Sequence, residues 1–304
     1  MNAFIFPGQG AQFPGMGKDF FENFSVARQV FEAANEALDF DLAGLCFNGP
    51  EDDLKLTRNT QPAILTMSIA ALRVVESETG LRPSFAAGHS LGEYSALVCS
   101  GAIDFATAVK TVRFRGTFMQ EAVPVGVGAM AAILSAEADA LVEICAEAAQ
   151  GEVVAPANYN SPGQIVIAGH ASAVHRAIEI AKGKGFRKAM LLPVSAPFHC
   201  SLMQPAADRL KTVLTGLSYQ KMLLPVVTNV EARANDNCDR VQDLLVTQVC
   251  APVLWEQSVN AMIQSGVTRF IEIGPGKVLS GLVKRISKEA QLVNVEDRNS
   301  LALL

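Results

Sequence analysis

Residues 88–94 read GHSLGEY and hold Ser90 between two glycines in the spacing G-x-S-x-G, with His89 directly before it. A serine hydroxyl is a weak nucleophile until a base takes its proton. This spacing fits the sharp turn that projects such a serine from the top of a sheet. Small residues flank the serine because the turn leaves no room for Cβ atoms, and the next backbone N–H faces the developing oxyanion. With each fixed position near a ~7% background, the three together arise by chance about 0.1 times in a chain of this length. The plain alternative is a serine that merely caps the following helix.

A base must accompany the nucleophile, and the chain has four histidines. His89 adjoins Ser90 in a tight turn, where neighbouring side chains diverge, so a structural place suits it. His170 and His175 bracket the start of a helix and read as surface residues. His199, in SAPFHC, leaves an apolar strand where the chain returns to its larger part, and elimination favours it as the base. No acid between 90 and 199 has a distinctive setting, so the usual third member that fixes the histidine tautomer is missing, and a backbone or amide carbonyl could orient the ring instead. Arg113 and Arg115 lie two apart and face opposite sides of a helix. An inward Arg115 needs an anion or a carboxylate partner; a structural salt bridge is the alternative. Gly116 beside it would let another backbone approach. Pro7-Gly8-Gln9-Gly10 and Gly274-Pro275-Gly276-Lys277 each follow a strand but match no phosphate-loop pattern. They read as tight turns near a site, the first presenting an amide N–H and the second with phosphate contact as its alternative.

These residues need elements to hold them. A strand over 3–6 runs into a Gly/Pro loop, 7–17. Phe20, Phe24, Ala27 and Phe31 share helical spacing, a second helix spans about 61–78, and a short strand near Phe85 meets Ser90. Helices over about 91–101 and 104–121 follow. Then come a strand 129–134, a helix 136–149, strands 153–159 and 164–168, a helix 171–181 and a strand 189–194. That βαββαβ order is ferredoxin-like. A strand 225–230, helical spacing over 241–264, a strand 268–273 and a helix 278–287 complete the chain. Strands alternating with helices argue a mostly parallel sheet covered on both faces.

Bulk numbers bound the answer. The chain has 304 residues, 50% hydrophobic and 18% charged, with a formal net charge of −5. That length suits two domains and a sizeable core. The acidic balance argues against nucleic acid as a partner. Six cysteines show no C-x-x-C pair or zinc spacing and read as core residues of a reduced compartment. No metal site is expected. The N-terminus lacks a basic region and Pro7 breaks its apolar run, so no signal peptide is expected. No stretch nears the roughly 20 apolar residues of a membrane helix. A cytoplasmic protein without membrane attachment is expected.

Seven segments in order carry a resemblance: FPGQGAQ at 6–12, GHSLGEY at 88–94, RGTFMQ at 115–120, ANYNSPGQIVIAG at 157–169, VSAPFHCSLM at 194–203, QVCAPVLW at 248–255 and EIGPGKVLSGLVKRI at 272–286. Through them the chain resembles the malonyl-CoA:acyl carrier protein transacylases of bacterial fatty acid synthesis over essentially its whole length. The resemblance implies an α/β fold. An α/β-hydrolase-like domain with a mostly parallel sheet spans 1–126 and 198–304, and a ferredoxin-like βαββαβ insert spans 127–197. It implies Ser90 as acylated nucleophile and His199 as its partner. The backbone N–H groups of Gln9 and Leu91 would form the oxyanion hole, Arg115 would grip the malonyl carboxylate, and the Gln248 carbonyl would orient His199. Asn160 and Phe198 are assigned to the pocket. The substrates would be malonyl-CoA and acyl carrier protein, with no cofactor, acting on a monomer. Lys184, Arg187 and Lys188, together with Lys182, form one candidate docking patch for an acidic carrier; Lys284, Arg285 and Lys288 form another. Two rival readings stand beside this one. A serine hydrolase on the same fold would release free malonate, and a carrier-binding module would not need Ser90.

Overall fold

The computed structural model describes residues 1–194 and 196–304. Ser195, which precedes the His199 segment, lies outside the described residues. The chain opens with β1 (Asn2–Phe6), then helices α1 (Lys18–Asn23), α2 (Ser25–Leu38), α3 (Leu42–Asn48), α4 (Glu51–Lys55) and α5 (Thr57–Thr79). Next come β2 (Phe85–Gly88), α6 (Gly92–Cys99) and α7 (Phe105–Ala122). The middle section runs β3 (Gly128–Leu134), α8 (Ala138–Ala149), β4 (Val154–Ser161), β5 (Gln164–His170), α9 (Ala171–Gly183) and β6 (Ala189–Leu191). The last comprises α10 (Gln204–Thr215), β7 (Val226–Val227), β8 (Ala234–Asn235), α11 (Val241–Cys250), α12 (Trp255–Gln264), β9 (Arg269–Ile273), α13 (Val278–Ile286), β10 (Gln291–Val295) and α14 (Arg298–Leu301).

The first sheet has the order β10-β9-β1-β2-β7-β8. Its first five strands are parallel and β8 runs antiparallel at the edge. Period-two alternation sends Phe4, Phe6 and Ala86 into one core, packed on α2, α5 and α7, and Ala3, Ile5 and Ala87 into another, packed on α12 and α13. A parallel sheet buried on both faces reads as a continuous apolar run, as AFIF does in β1. The second sheet, β4-β5-β3-β6, is antiparallel. One face, with Ala131, Ile133, Ile165 and Ile167, packs on α8 and α9. The other, with Met130, Ala132, Val166 and Ala168, joins the larger core. A parallel bridge between Asn158 and Val253 ties the two sheets together.

Several expected elements differ in extent. The Phe20–Phe31 periodicity is two helices, because Phe24 is extended at φ −128. The helical run over 241–264 breaks at Ala251–Leu254, where Pro252 bars its neighbour from helical angles. Val253 there donates to Ala157 O at 2.9 Å, so the break serves the bridge between sheets. The strand expected over 189–194 ends at Leu191, and that over 225–230 is only Val226–Val227. β10 and α10 carried no sequence expectation.

Candidate active site

The nucleophile turn follows from two close backbone approaches. A Cβ on Gly88 would lie 1.9 Å from the Gly92 carbonyl carbon, and one on Gly92 would lie 2.1 Å from Phe6 O. Only glycine fits either place. Between them Ser90 takes φ 51, the left-handed region that costs a non-glycine residue about 1–2 kcal/mol. His199 is held the same way at φ 61. Asn229 grips the turn from the end of β7: its Oδ1 accepts from Ser90 N at 2.7 Å, and its Nδ2 donates to Gly88 O at 2.7 Å.

These constraints bring Ser90 Oγ to 2.7 Å from His199 Nε2, across 109 positions of sequence. His199 Nδ1 lies 2.9 Å from the Gln248 backbone carbonyl. A carbonyl only accepts, so Nδ1 carries the proton and Nε2 offers its lone pair to the serine. The ring is 4% exposed. Burial, reinforced by the Arg115 charge, pushes its pKa down to about 3, so it waits as a neutral base.

Arg115 enters from α7 and is 1% exposed. Gly116 beside it lies against the Thr57 backbone. Arg115 Nη1 donates to Gln61 Oε1 at 3.0 Å, and Nη2 to Gln248 Oε1 at 3.0 Å and to Ser90 Oγ at 3.1 Å. The guanidinium sits 5.7 Å from the Tyr94 ring centroid. Among the described residues no carboxylate forms an ion pair with it, and its Nε has no acceptor. The structural salt bridge considered for it is therefore not the one formed; Arg113 instead lies on the Phe40 ring at 4.5 Å. An arginine buried among neutral acceptors is a site prepared for an anion.

The cavity above Ser90 holds about 120 Å³ and is lined by Gln9, His89, Met130, Leu192, Phe198 and His199. A neighbouring channel of about 230 Å³ shares Gln9, His89 and Leu192 and adds Asn160, Gln164 and Leu282. Ser90 Oγ pairs with His199 and not with His89, whose Nε2 pairs with Asn160 Oδ1 at 2.8 Å and whose pKa burial lowers. The Gly274–Lys277 turn is closed internally, since Gly276 N donates to Glu296 Oε2 at 2.8 Å. Among the described residues the amides of Gln9 and Leu91 have no acceptor. Lys182 and Lys184 pair with Glu179 and Glu147, while Arg285 donates to Gln164 at the channel rim. Among the described residues no cluster of His, Cys, Asp or Glu is placed to hold a metal ion. No helix among them is long and apolar enough to cross a membrane.

Sequence reasoning gave no role to Asn229, Gln61 or Glu93. Glu93 is 2% exposed on α6, and burial raises its carboxyl to about 7. It stands inside the GHSLGEY motif, and its acidic side chain on an otherwise uncharged helix was the available signal.

The acyl transferase domain family matches this chain over residues 3–302. The malonyl CoA-acyl carrier protein transacylase of Escherichia coli strain K12 is 50% identical over 284 residues, 93% of this chain and 92% of its own. An acyl carrier protein S-malonyltransferase from Vibrio cholerae superposes with a TM-score of 0.97 at 49% identity, covering 99% of each chain. A malonyl-transacylase solved in complex with a type II PKS acyl-carrier protein superposes with a TM-score of 0.97 at 46% identity, covering 99% of this chain and 97% of that one.

Proposed function

The chain belongs to the acyl transferase family, and from that membership we propose that it carries a malonyl group from malonyl-CoA to the phosphopantetheine thiol of acyl carrier protein, through an ester on Ser90. The transfer supplies extender units for fatty acid synthesis. The observation that carries this reading is one oxygen with two partners: Ser90 Oγ faces a neutral base at 2.7 Å and an uncompensated guanidinium at 3.1 Å.

Malonyl-CoA enters with its pantetheine arm along the channel beside Leu192 and Leu282. Its carboxylate binds Arg115 and takes up the Nη2 donor that Ser90 Oγ held in the free site. His199 Nε2 then removes the Ser90 proton as Oγ attacks the thioester carbon. The N–H groups of Gln9 and Leu91 stabilise the oxyanion, each by about 3 kcal/mol. The C–S bond breaks, His199 returns the proton to the CoA sulfur, and CoA leaves. The carrier thiol then gives its proton to His199, attacks the ester, and Ser90 recovers its hydroxyl, a ping-pong sequence. The Gln248 carbonyl keeps His199 in its working tautomer throughout. Phe198 narrows the pocket against branched extenders, and Asn160, oriented by His89, lines the approach. Side chains and backbone suffice for each step. We read residues 1–126 and 198–304 as an α/β-hydrolase-like domain and 127–197 as a ferredoxin-like insert, with the site between them, in a cytoplasmic enzyme.

Intact-protein mass spectrometry tests the proposal. With malonyl-CoA alone the protein gains one malonyl group and holds it; adding carrier protein discharges it. Steady release of free malonate without carrier would identify a hydrolase instead. Carrier docking is tested separately. Lys184, Arg187 and Lys188 precede β6, and an acidic carrier would complement them. Lys184→Glu with Lys188→Glu raises KM for carrier protein about fivefold or more and leaves KM for malonyl-CoA unchanged. Equal changes for both substrates would exclude docking on this patch.

A further inference from the structure

Glu93 has no part in the chemistry just described, yet it is a carboxylate buried at the heart of the site. Its Oε2 accepts from Gln248 Nε2 at 2.7 Å and from the Asn229 backbone N–H at 3.1 Å. Among the described residues it forms no ion pair. Gln248 is wholly buried and reaches four groups: through Nε2 it donates to Glu93 and to Ser90 O at 3.0 Å, through Oε1 it accepts from Arg115, and its backbone carbonyl faces His199.

A side-chain amide is nearly symmetric in shape but not in chemistry: one end donates and the other accepts. Turned over, Gln248 would set its NH₂ against the Arg115 Nη2 donor and its oxygen against two acceptors, Glu93 Oε2 and Ser90 O. Each clash would leave buried polar groups unpaired, a larger cost than a missing bond at the surface. Glu93 is the shorter of the two contacts. The same carboxylate acts on Arg115 through its field without touching it. A direct pair would occupy the guanidinium. The interposed amide instead offers a neutral oxygen and leaves the cation free for a ligand.

We infer that Glu93 is a positioning residue for substrate selection: by fixing which end of the Gln248 amide faces Arg115, it holds the guanidinium open and aimed for the malonyl carboxylate. The inference rests on the proposed role of Arg115. A second contact, to Asn229 N, anchors the carboxylate so that its Oε2 stays in place. Because both neighbours donate to that one atom, a glutamine at 93 would present its oxygen there and keep the amide of Gln248 oriented.

The test compares kcat/KM for malonyl-CoA and acetyl-CoA in single variants of the full chain. Glu93→Ala lowers the malonyl-to-acetyl ratio at least about tenfold, mainly through malonyl-CoA, and Glu93→Gln keeps the ratio within about threefold of the parent. If the alanine variant does not fold, Glu93→Asp decides, since one methylene fewer withdraws the acceptor from Gln248 Nε2; it too lowers the ratio. An unchanged ratio in Glu93→Ala or Glu93→Asp, an equal loss on both substrates, or a Glu93→Gln variant as impaired as alanine would overturn the inference. Arg115→Ala run alongside separates the two claims. If that variant keeps the parent ratio, the reading of Arg115 fails; if it loses the ratio and the Glu93 variants do not, only the positioning role fails.

Discussion

Ser90→Ala lowers malonyl transfer to carrier protein by at least about 10⁴-fold and gains no mass on exposure to malonyl-CoA. In the proposed ping-pong sequence the Ser90 ester lets one pocket serve two bulky thiols in turn. Without Oγ, the carrier thiol would have to reach a malonyl thioester still bound as CoA, with both pantetheine arms at one site. The variant should fold. Ser90 adopts φ 51 because Asn229 and the two glycines require it, and none of those contacts uses Oγ. Removal of Oγ does leave His199 Nε2 and one Arg115 donor without their protein partner. A bound malonyl-CoA carboxylate takes up the Arg115 donor and a water can donate to His199 Nε2, so substrate binding survives while turnover does not. Circular dichroism establishes the fold and a binding isotherm establishes occupancy. Transfer that persists in this variant would remove the ester from the mechanism and leave a role in carrier binding alone.

The parts of this site that could be read from the sequence are those encoded locally. Ser90 announces itself because a sharp turn excludes Cβ atoms on both sides, and that exclusion is written as two glycines. His199 emerged because the chain holds few histidines and the others had plainer places. Arg113 and Arg115 were separable because a two-residue step turns the helix by more than half a circle. One did lie inward and the other on Phe40. A backbone carbonyl, by contrast, has no letter of its own. That a carbonyl could replace the missing acid was readable, but that it belongs to Gln248 came only from resemblance.

Asn229 and Glu93 were illegible for a different reason. Asn229 meets Ser90 across 139 positions, and only the strand order β1-β2-β7 brings them side by side. The strand expected over 225–230 is longer than the one formed, Val226–Val227. Thr228 and Asn229 leave the sheet, and Asn229 spends its amide on the nucleophile turn. The break at Pro252 shows the same override: local periodicity continued, but the chain turns there to bridge the two sheets. Elements were visible wherever one face decided them, and invisible where a distant partner did.

Arg115→Ala lowers kcat/KM for malonyl-CoA by about 10²–10³-fold while acetyl-CoA improves, by up to about tenfold. Hydrogen bonds to a charged group contribute about 1.5–3 kcal/mol each. A carboxylate gripped by two guanidinium N–H groups therefore supports a loss of that size. An acetyl group offers no anion, so in the parent enzyme its methyl would seal a buried cation away from water with nothing to pair it. The penalty falls on acetyl-CoA and vanishes with the arginine. The free site adds a second effect. Arg115 Nη2 donates to Ser90 Oγ at 3.1 Å, and the Arg115 charge helps to depress the basicity of His199. On the proposed reading a malonyl carboxylate would draw that donor away and offset that charge, so the correct substrate would also ready the nucleophile and its base. Acetyl-CoA does neither. Loss of the arginine should then relieve both restraints permanently, which is why acetyl transfer rises rather than merely persisting. Arg115→Lys keeps a cation but loses the planar fork, and falls between the parent and alanine for malonyl-CoA. Specificity constants for the two thioesters, measured on all three proteins, decide the matter. A malonyl-to-acetyl ratio unchanged in Arg115→Ala would mean that the carboxylate is recognised elsewhere. An equal loss on both substrates would mean that the arginine only supports the packing of α7.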